Sequence, residues 1–217
     1  MLHSISEVFY SIQGEGYWVG RPAVFIRYAG CDLRCEWCDT PRSREVLDNR
    51  TKDFTTEGLL AEVLALNSPS NFFVITGGEP LLQQHAVGEF VRELRKNLPQ
   101  SFVALETNGT HLAQDTKALL GVDWITVSPK PKFDYISNLH RDGIPLPVDE
   151  LKCVHIGGAE GNALLLQSVL CFDAQNWFVQ PCYRSGGMSN VKECIAFAKK
   201  HPSWRLSVQL HKMLNLR

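Results

Sequence analysis

Three cysteines stand within one short span, Cys31-Asp-Leu-Arg-Cys35-Glu-Trp-Cys38, with the spacing C-x3-C-x2-C. They follow the apolar run AVFIRY through a turn at Gly30, so the thiols are expected together on a loop just past a strand end. Iron-sulfur clusters are normally held by four cysteine thiolates, and three from one loop would leave one iron without a protein ligand. The amino and carboxylate groups of S-adenosylmethionine (SAM) can chelate such an iron and bring the sulfonium close to an electron source. One-electron transfer would then break a carbon-sulfur bond and yield a 5'-deoxyadenosyl radical, with the cofactors carrying the difficult chemistry. The same cysteines could join a histidine in a Cys3His zinc site, although zinc knuckles usually show C-x2-4-C pairs with a distant second pair. Asp32, Arg34 and Glu36 lie between the thiols and mark an accessible loop, whereas Cys153, Cys171, Cys182 and Cys194 sit in apolar or helical contexts and read as core residues.

A second candidate is Gly77-Gly78-Glu79-Pro80, which follows the run FFVIT. Two residues without Cβ would let backbone polar groups approach a ligand, and the Glu79 carboxylate is suited to an ammonium.

The elements that must position these groups alternate between β-branched or aromatic runs and amphipathic runs at helical spacing, the pattern of parallel strands joined by crossover helices. Candidate strands are 23–28, 72–76, 102–106, 124–127, 151–155, 177–180 and 205–210. One helix is expected behind Thr55 or Thr56 as N-cap, carrying Leu59, Leu60, Val63, Leu64 and Leu66. A second shows Val87, Phe90, Val91, Leu94 and Leu98, and a last one opens at Ser189 with Val191, Ile195 and Ala198 on one side. The Pro-rich span 129–147 has too many turn formers for a regular element and reads as a long excursion from the sheet. The simplest architecture is a single α/β domain over 1–217, with a mostly parallel sheet, open or partly rolled like an incomplete barrel.

Of the 217 residues, 44% are hydrophobic, enough to bury one substantial core. Basic and acidic residues number 22 and 23 and are spread along the chain, so no footprint for a nucleic-acid backbone is visible. A small anionic substrate fits better. Seven cysteines are an odd number, and MLHSISEVFYSIQGEG lacks the basic-then-apolar organisation of a signal peptide, so a reducing cytoplasm is the expected setting. No stretch approaches the roughly 20 apolar residues that cross a bilayer.

With the cysteine loop and TGGEP taken together, the chain resembles the radical SAM superfamily. It is more closely similar to the 7-carboxy-7-deazaguanine synthases of queuosine and deazapurine biosynthesis, which supplies a tRNA modification. The resemblance covers nearly the whole chain and is carried by SIQGEG, RYAGCDLRCEWCDT, TGGEP, ETNGT, SPK, the QP of FVQPCY and the terminal SVQLHK. It implies a partial TIM-like β/α barrel and a radical ring contraction of 6-carboxy-5,6,7,8-tetrahydropterin to 7-carboxy-7-deazaguanine with loss of ammonia. A [4Fe-4S] cluster, SAM used catalytically and Mg2+ come with it. Activating enzymes for glycyl radical proteins share the cysteine loop, and a protein partner's glycine is the alternative substrate.

Carried over residue by residue, the resemblance makes Cys31, Cys35 and Cys38 the cluster ligands, and Thr40 a Mg2+ ligand. Trp37, Cys38, Asp39, Gly78, Ser128, Pro129, Lys130, Gln180, Pro181, Cys182 and Tyr183 would line the SAM site beside Glu79. Ile12, Gln13, Gly14, Glu15, Arg27 and Thr76 would contact the pterin, with the Arg27 guanidinium matched to its carboxylate. The carboxylate of Arg217 would reach back to the substrate, so that segments 1–22 and 205–217 complete that site. From residue type alone, Arg27 also fits a surface ion pair, Thr40 a turn before Pro41, Glu15 an exposed turn, and His211 with Lys212 a solvated tail. Cys182 in QPCY reads either as a passive lining group or as an oxidation-sensitive one. The expected partners are a flavodoxin- or ferredoxin-type electron donor and a second copy of the chain.

Overall fold

The computed structural model describes residues 1–40, 51–130, 144–184 and 187–216, and the chain divides into two compact α/β units. The first unit comprises residues 1–13, 21–107 and 115–125; the second comprises 14–20, 108–114 and 126–217. Among the described residues, no helix is long and apolar enough to cross a membrane.

In the first unit, β1 (Leu2–Ile12), β2 (Pro22–Tyr28), β3 (Lys52–Thr55), β4 (Phe72–Gly77) and β5 (Phe102–Thr107) lead into β6 (Trp124–Val127). Their order is β6–β5–β4–β2–β1–β3. The strands β2, β4 and β5 run parallel, and β1 joins β2 and β3 antiparallel. Val24, Ile26, Val74, Ile75, Val103 and Leu105 are at most 1% exposed, as continuous apolar runs become when a sheet is covered on both faces. Two helices, α1 (Thr56–Ala65) and α2 (Gln84–Asn97), provide cover with Leu59, Leu60 and Val63, and with Val87, Phe90, Val91 and Leu94. The hydroxyl of Thr55 caps α1 by accepting the Gly58 amide at 3.1 Å, and α3 (Thr116–Leu120) ends at Gly121 with φ +70°.

The second unit contains the end of β6, β7 (Leu146–His155), β8 (Phe172–Pro181) and β11 (Trp204–Leu206), in the order β11–β8–β7–β6 and all parallel. A two-stranded antiparallel pair, β9 (Tyr183–Arg184) with β10 (Gly187–Met188), follows β8. The helices here are α4 (Gly158–Cys171), α5 (Val191–Lys200) and α6 (Leu210–Met213). Trp204 packs edge-on against Trp177 and Phe197, with ring centroids 5.6 and 5.4 Å apart.

One strand was not anticipated, and three expectations need correction. Residues 2–12 form a strand that sequence alternation does not advertise, because its register slips between Ile5 and Glu7. β7 starts at Leu146, so Pro147 belongs to a strand and not to the excursion; residues 131–143 of that excursion lie outside the described residues. Proline is tolerated there because it falls next to the strand's first residue. The expected strand 205–210 stops at Leu206, since the Leu210 amide turns to the Gly14 carbonyl at 2.9 Å and opens α6. On α5 the buried residues are Cys194 and Phe197, while Ile195 is exposed.

Gly77 carries the tightest backbone approach in the first unit. Its φ is +147°, and a Cβ on it would stand 2.1 Å from the Tyr28 carbonyl oxygen and 2.7 Å from the Tyr28 nitrogen. Neither backbone atom can yield as a side chain could. Gly77→Ala should therefore lose about 3 kcal/mol in chemical denaturation. Gly20→Ala, at φ +87° with nothing within 4 Å, should lose only about 1 kcal/mol. Equal losses would contradict this account of Gly77.

Candidate active site

In the first unit, the root of the cysteine loop is tied to the turn after β4. The Gly78 amide donates to the Tyr28 carbonyl at 3.1 Å and the Glu79 amide to the Gly30 carbonyl at 2.8 Å. Gln83 adds bonds from Nε2 to the carbonyls of Ala29 (2.9 Å) and Ser4 (3.2 Å). Gly30, at φ +94°, then turns the chain so that Cys31, Cys35 and Cys38 all stand half-buried and outside any disulfide. The Leu33 amide donates to Cys31 Sγ at 3.4 Å, and the Cys38 amide closes a turn onto Cys35 O at 3.2 Å. Burial pushes the Cys31 thiol up; the Leu33 amide opposes this, while Asp32, Glu79 and Cys35 add to it. The other four cysteines are buried, and burial raises Cys153 and Cys194 to about 12, which keeps them protonated core residues.

The donor set fits an iron-sulfur cluster: three accessible thiols share one short loop, and none is spent in a disulfide. Beside them the Trp37 indole N–H is buried and finds no hydrogen-bond partner among the described residues, as suits a site whose ligand brings an acceptor. Thr40 Oγ1 lies 4.0 Å from Cys38 Sγ, and Asp39 is exposed. Glu79 is fully buried. Its Oε1 accepts from the Leu81 amide (2.9 Å) and the Thr107 hydroxyl (2.7 Å), capping the short 3-10 turn Pro80–Gln83.

A polar row crosses the otherwise apolar strands of this unit. Glu7, Arg27 and Thr76 are register partners on β1, β2 and β4, and Thr76 Oγ1 donates to Glu106 Oε2 on β5 at 3.0 Å. Arg27 Nε pairs with Glu7 Oε1 at 2.8 Å, so the ion pair expected from residue type does exist, but it uses only the Nε edge of the guanidinium. Gln13 Nε2 donates to Glu106 Oε1 at 3.0 Å, and Glu106 thereby brings together two of the expected pterin contacts. Ile12 ends β1 opposite Pro22. Glu7 and Glu106 were not singled out in the sequence, although a charged residue closing FVALE was the available signal.

The second unit centres on Gly14-Glu15-Gly16. A Cβ on Gly14 would stand 2.3 Å from His211 Nδ1, and one on Gly16, whose φ is +66°, 1.9 Å from Glu150 Oε1. Glu15 is not an exposed turn residue: its side chain is 14% exposed, Lys152 Nζ lies 2.7 Å from Oε2, and Gln209 Nε2 donates to Oε1 at 2.7 Å. Burial pushes the Glu15 carboxyl up, but the Lys152 charge and hydrogen bond, the Gln209 bond and the His211 charge outweigh it and hold the group at about 2. Lys212 Nζ donates to Gln209 Oε1 at 3.0 Å and stands 4.5 Å over the Tyr183 ring, so this end of the chain is bonded and not a loose tail. Lys152, Glu150 and Gln209 are the residues that sequence reasoning missed here.

The expected SAM residues of this unit fall into two groups. Lys130 Nζ donates to Ser128 Oγ at 2.8 Å, with Pro129 buried between them after β6. Gln180 Oε1 accepts from Ser207 Oγ at 2.9 Å near the end of β8, where Pro181 is buried. Cys182 is 1% exposed, and its backbone is held by Ser189 and Asn190, which fits a passive lining thiol. Tyr183 opens β9, and Arg217 lies outside the described residues.

Comparison with known proteins bears on both units. The model of the radical SAM superfamily matches residues 25–141, more than half of the chain. The chain is 35% identical to the 7-carboxy-7-deazaguanine synthase of Bacteroides thetaiotaomicron and 32% identical to that of Escherichia coli, each alignment covering the whole of both proteins. The crystal structure of QueE from Escherichia coli matches with a TM-score of 0.75 at 28% identity, over 97% of this chain and 95% of that one. The mostly parallel α/β fold is thus that of the radical SAM partial barrel, and both of these relatives are 7-carboxy-7-deazaguanine synthases. The chain belongs to the radical SAM superfamily and, within it, to the 7-carboxy-7-deazaguanine synthase family.

Proposed function

We propose that this chain contracts 6-carboxy-5,6,7,8-tetrahydropterin to 7-carboxy-7-deazaguanine with loss of ammonia, as a radical SAM lyase of deazapurine and queuosine biosynthesis. One observation carries the reading. The superfamily match spans residues 25–141, whereas the alignment with the synthases runs from end to end and so also includes the segments that carry the GEG loop and SVQLHK. A cluster loop alone would suit many reactions; full-length similarity to the synthases is what supports a pterin substrate.

When bound, the cluster and SAM supply one-electron cleavage of a carbon-sulfur bond and so the radical that starts the reaction. The chain's own residues hold, orient and exclude. Cys31, Cys35 and Cys38 are proposed as the cluster ligands, with Trp37, Asp39 and Gly78 lining the SAM site. Ser128, Pro129, Lys130, Gln180, Pro181, Cys182 and Tyr183 are proposed to line it as well. Glu79 joins them as the buried carboxylate beside the loop. Arg27 offers its Nη edge to the substrate carboxylate, since Nε is already paired with Glu7. Ile12, Gln13, Gly14, Glu15 and Thr76 are proposed to take the rest of the pterin. Thr40 is proposed to hold Mg2+ through its hydroxyl; this ion keeps several waters and takes oxygens from its substrate, so one protein ligand suffices.

A low-potential one-electron carrier such as flavodoxin or ferredoxin, a homodimer and a cytoplasmic setting complete the proposal. Cysteines that form no disulfide suit a reducing compartment, and the exposed Leu166 and Leu170, one turn apart on α4, suit a covered face.

Anaerobic incubation of the reconstituted protein with SAM, reductant, Mg2+ and the carboxy-tetrahydropterin should yield the deazapurine by mass spectrometry. SAM cleavage without that product would reject the assignment. In the same assay Thr40→Ala should lower turnover roughly 10-fold at fixed Mg2+, the loss of about one metal-ligand contact. Turnover with an unchanged Mg2+ response would remove Thr40 as a ligand.

A further inference from the structure

Lys152 is 5% exposed on β7, between Leu151 and Cys153, which are both fully buried. A lysine in that position loses its hydration and persists as an ammonium only when closely paired. Its partner is Glu15 Oε2 at 2.7 Å, while Gln209 holds the other oxygen at 2.7 Å. The backbone around Glu15 is fixed without this pair. Leu210 N donates to Gly14 O at 2.9 Å, Gly16 N to Ser207 Oγ at 3.0 Å, and Tyr17 N to Glu150 Oε2 at 3.2 Å. The two glycines admit no Cβ against His211 and Glu150. What Lys152 adds at Glu15 is therefore not the position of the loop but the charge and rotamer of that side chain.

A pterin presents a row of N–H donors along its amino-oxo edge, and an ionised carboxylate locked in one plane is a charge-assisted acceptor for such a row. We infer that Lys152 is a positioning residue of this enzyme, which acts on the pterin through Glu15 by fixing that carboxylate as an oriented anion. The inference rests on the proposed reading of Glu15 as a substrate contact. Lys152 itself touches no substrate in this account. A buried ion pair is weak as a source of stability, which leaves a functional reason for keeping one beside a candidate contact.

The test is a double-mutant cycle on the SAM-loaded, cluster-reconstituted protein. Binding of 6-carboxypterin, the fluorescent oxidised form of the substrate, is titrated by fluorescence quenching, and KM and kcat are measured alongside. The variants are Glu15→Gln, Lys152→Met and the double variant. Each single substitution should weaken binding at least about 10-fold, the scale of one charge-assisted hydrogen bond. The loss should fall on KM more than on kcat, because the contact exists already in the bound complex. SAM affinity should stay unchanged, which a general structural defect would not allow.

The double variant should bind as Glu15→Gln does, since the inferred effect of Lys152 on the pterin runs through the Glu15 carboxylate. It also buries no charge, so it remains informative if Lys152→Met leaves Glu15 unpaired and fails to fold. Further weakening in the double variant, or normal binding by Lys152→Met, would overturn the inference. Normal binding by Glu15→Gln would instead remove Glu15 as a substrate contact.

Discussion

The Tyr28 carbonyl accepts the Gly78 amide, and two residues on, the Gly30 carbonyl accepts that of Glu79. These two bonds extend the pairing of β2 with β4 beyond the sheet, into the loop that carries Cys31 and the turn that carries Gly78. They form only because Gly77 has no Cβ, since one would overlap the Tyr28 backbone. The Glu79 carboxylate then caps the following turn through Leu81 and Thr107, so it reaches β5 as well. Three thiols on one loop become a ligand set only if the loop's root is fixed, and here the fixing is done by backbone atoms that no side-chain motion can loosen. The glycine pair that the sequence offered as an approach for a ligand serves at Gly77 as an approach for the protein's own chain.

The second unit solves a different problem, that of placing charge where water is scarce. Glu15, Glu150, Lys152, Gln180, Ser207 and Gln209 are all largely buried. Burying an isolated carboxylate would raise its pKa and neutralise it, yet Glu15 is held at about 2 because Lys152 and Gln209 each take one oxygen. The network spans the chain: Glu15 is contributed near the start, Lys152 by the middle of β7 and Gln209 by the last helix turn. This gives the GEG and SVQLHK segments a physical reason to occur together.

Much of this was legible in the sequence. The strands at 23–28, 72–76, 102–106 and 124–127 read directly, because their apolar runs are short and rich in β-branched and aromatic residues, as strands buried on both faces are. The cysteine loop and a cap at Thr55 or Thr56 were equally legible as local patterns, and the structure puts the cap at Thr55. β1 was not, since its register shift breaks the alternation that would have announced it. The C-terminal strand was overdrawn because the Leu210 amide bonds Gly14, a partner that no local pattern points to. The same limit hid Lys152 and Gln209: Gln209 and Glu15 lie 194 residues apart, and a lysine inside LKCVH gives no sign of which carboxylate it meets. Ionisable residues inside apolar strands, Glu106 and Lys152 among them, were the signal to follow.

Everything proposed for the chemistry follows from Cys31, Cys35 and Cys38 holding a four-iron cluster and leaving one iron to SAM. Low-temperature EPR of the anaerobically reconstituted, reduced protein, recorded before and after SAM is added, addresses this directly. A [4Fe-4S]+ signal whose g-values and linewidth shift with SAM is the predicted result. A cluster signal that SAM leaves unaltered, or protein that holds zinc in place of iron and sulfide, would contradict it.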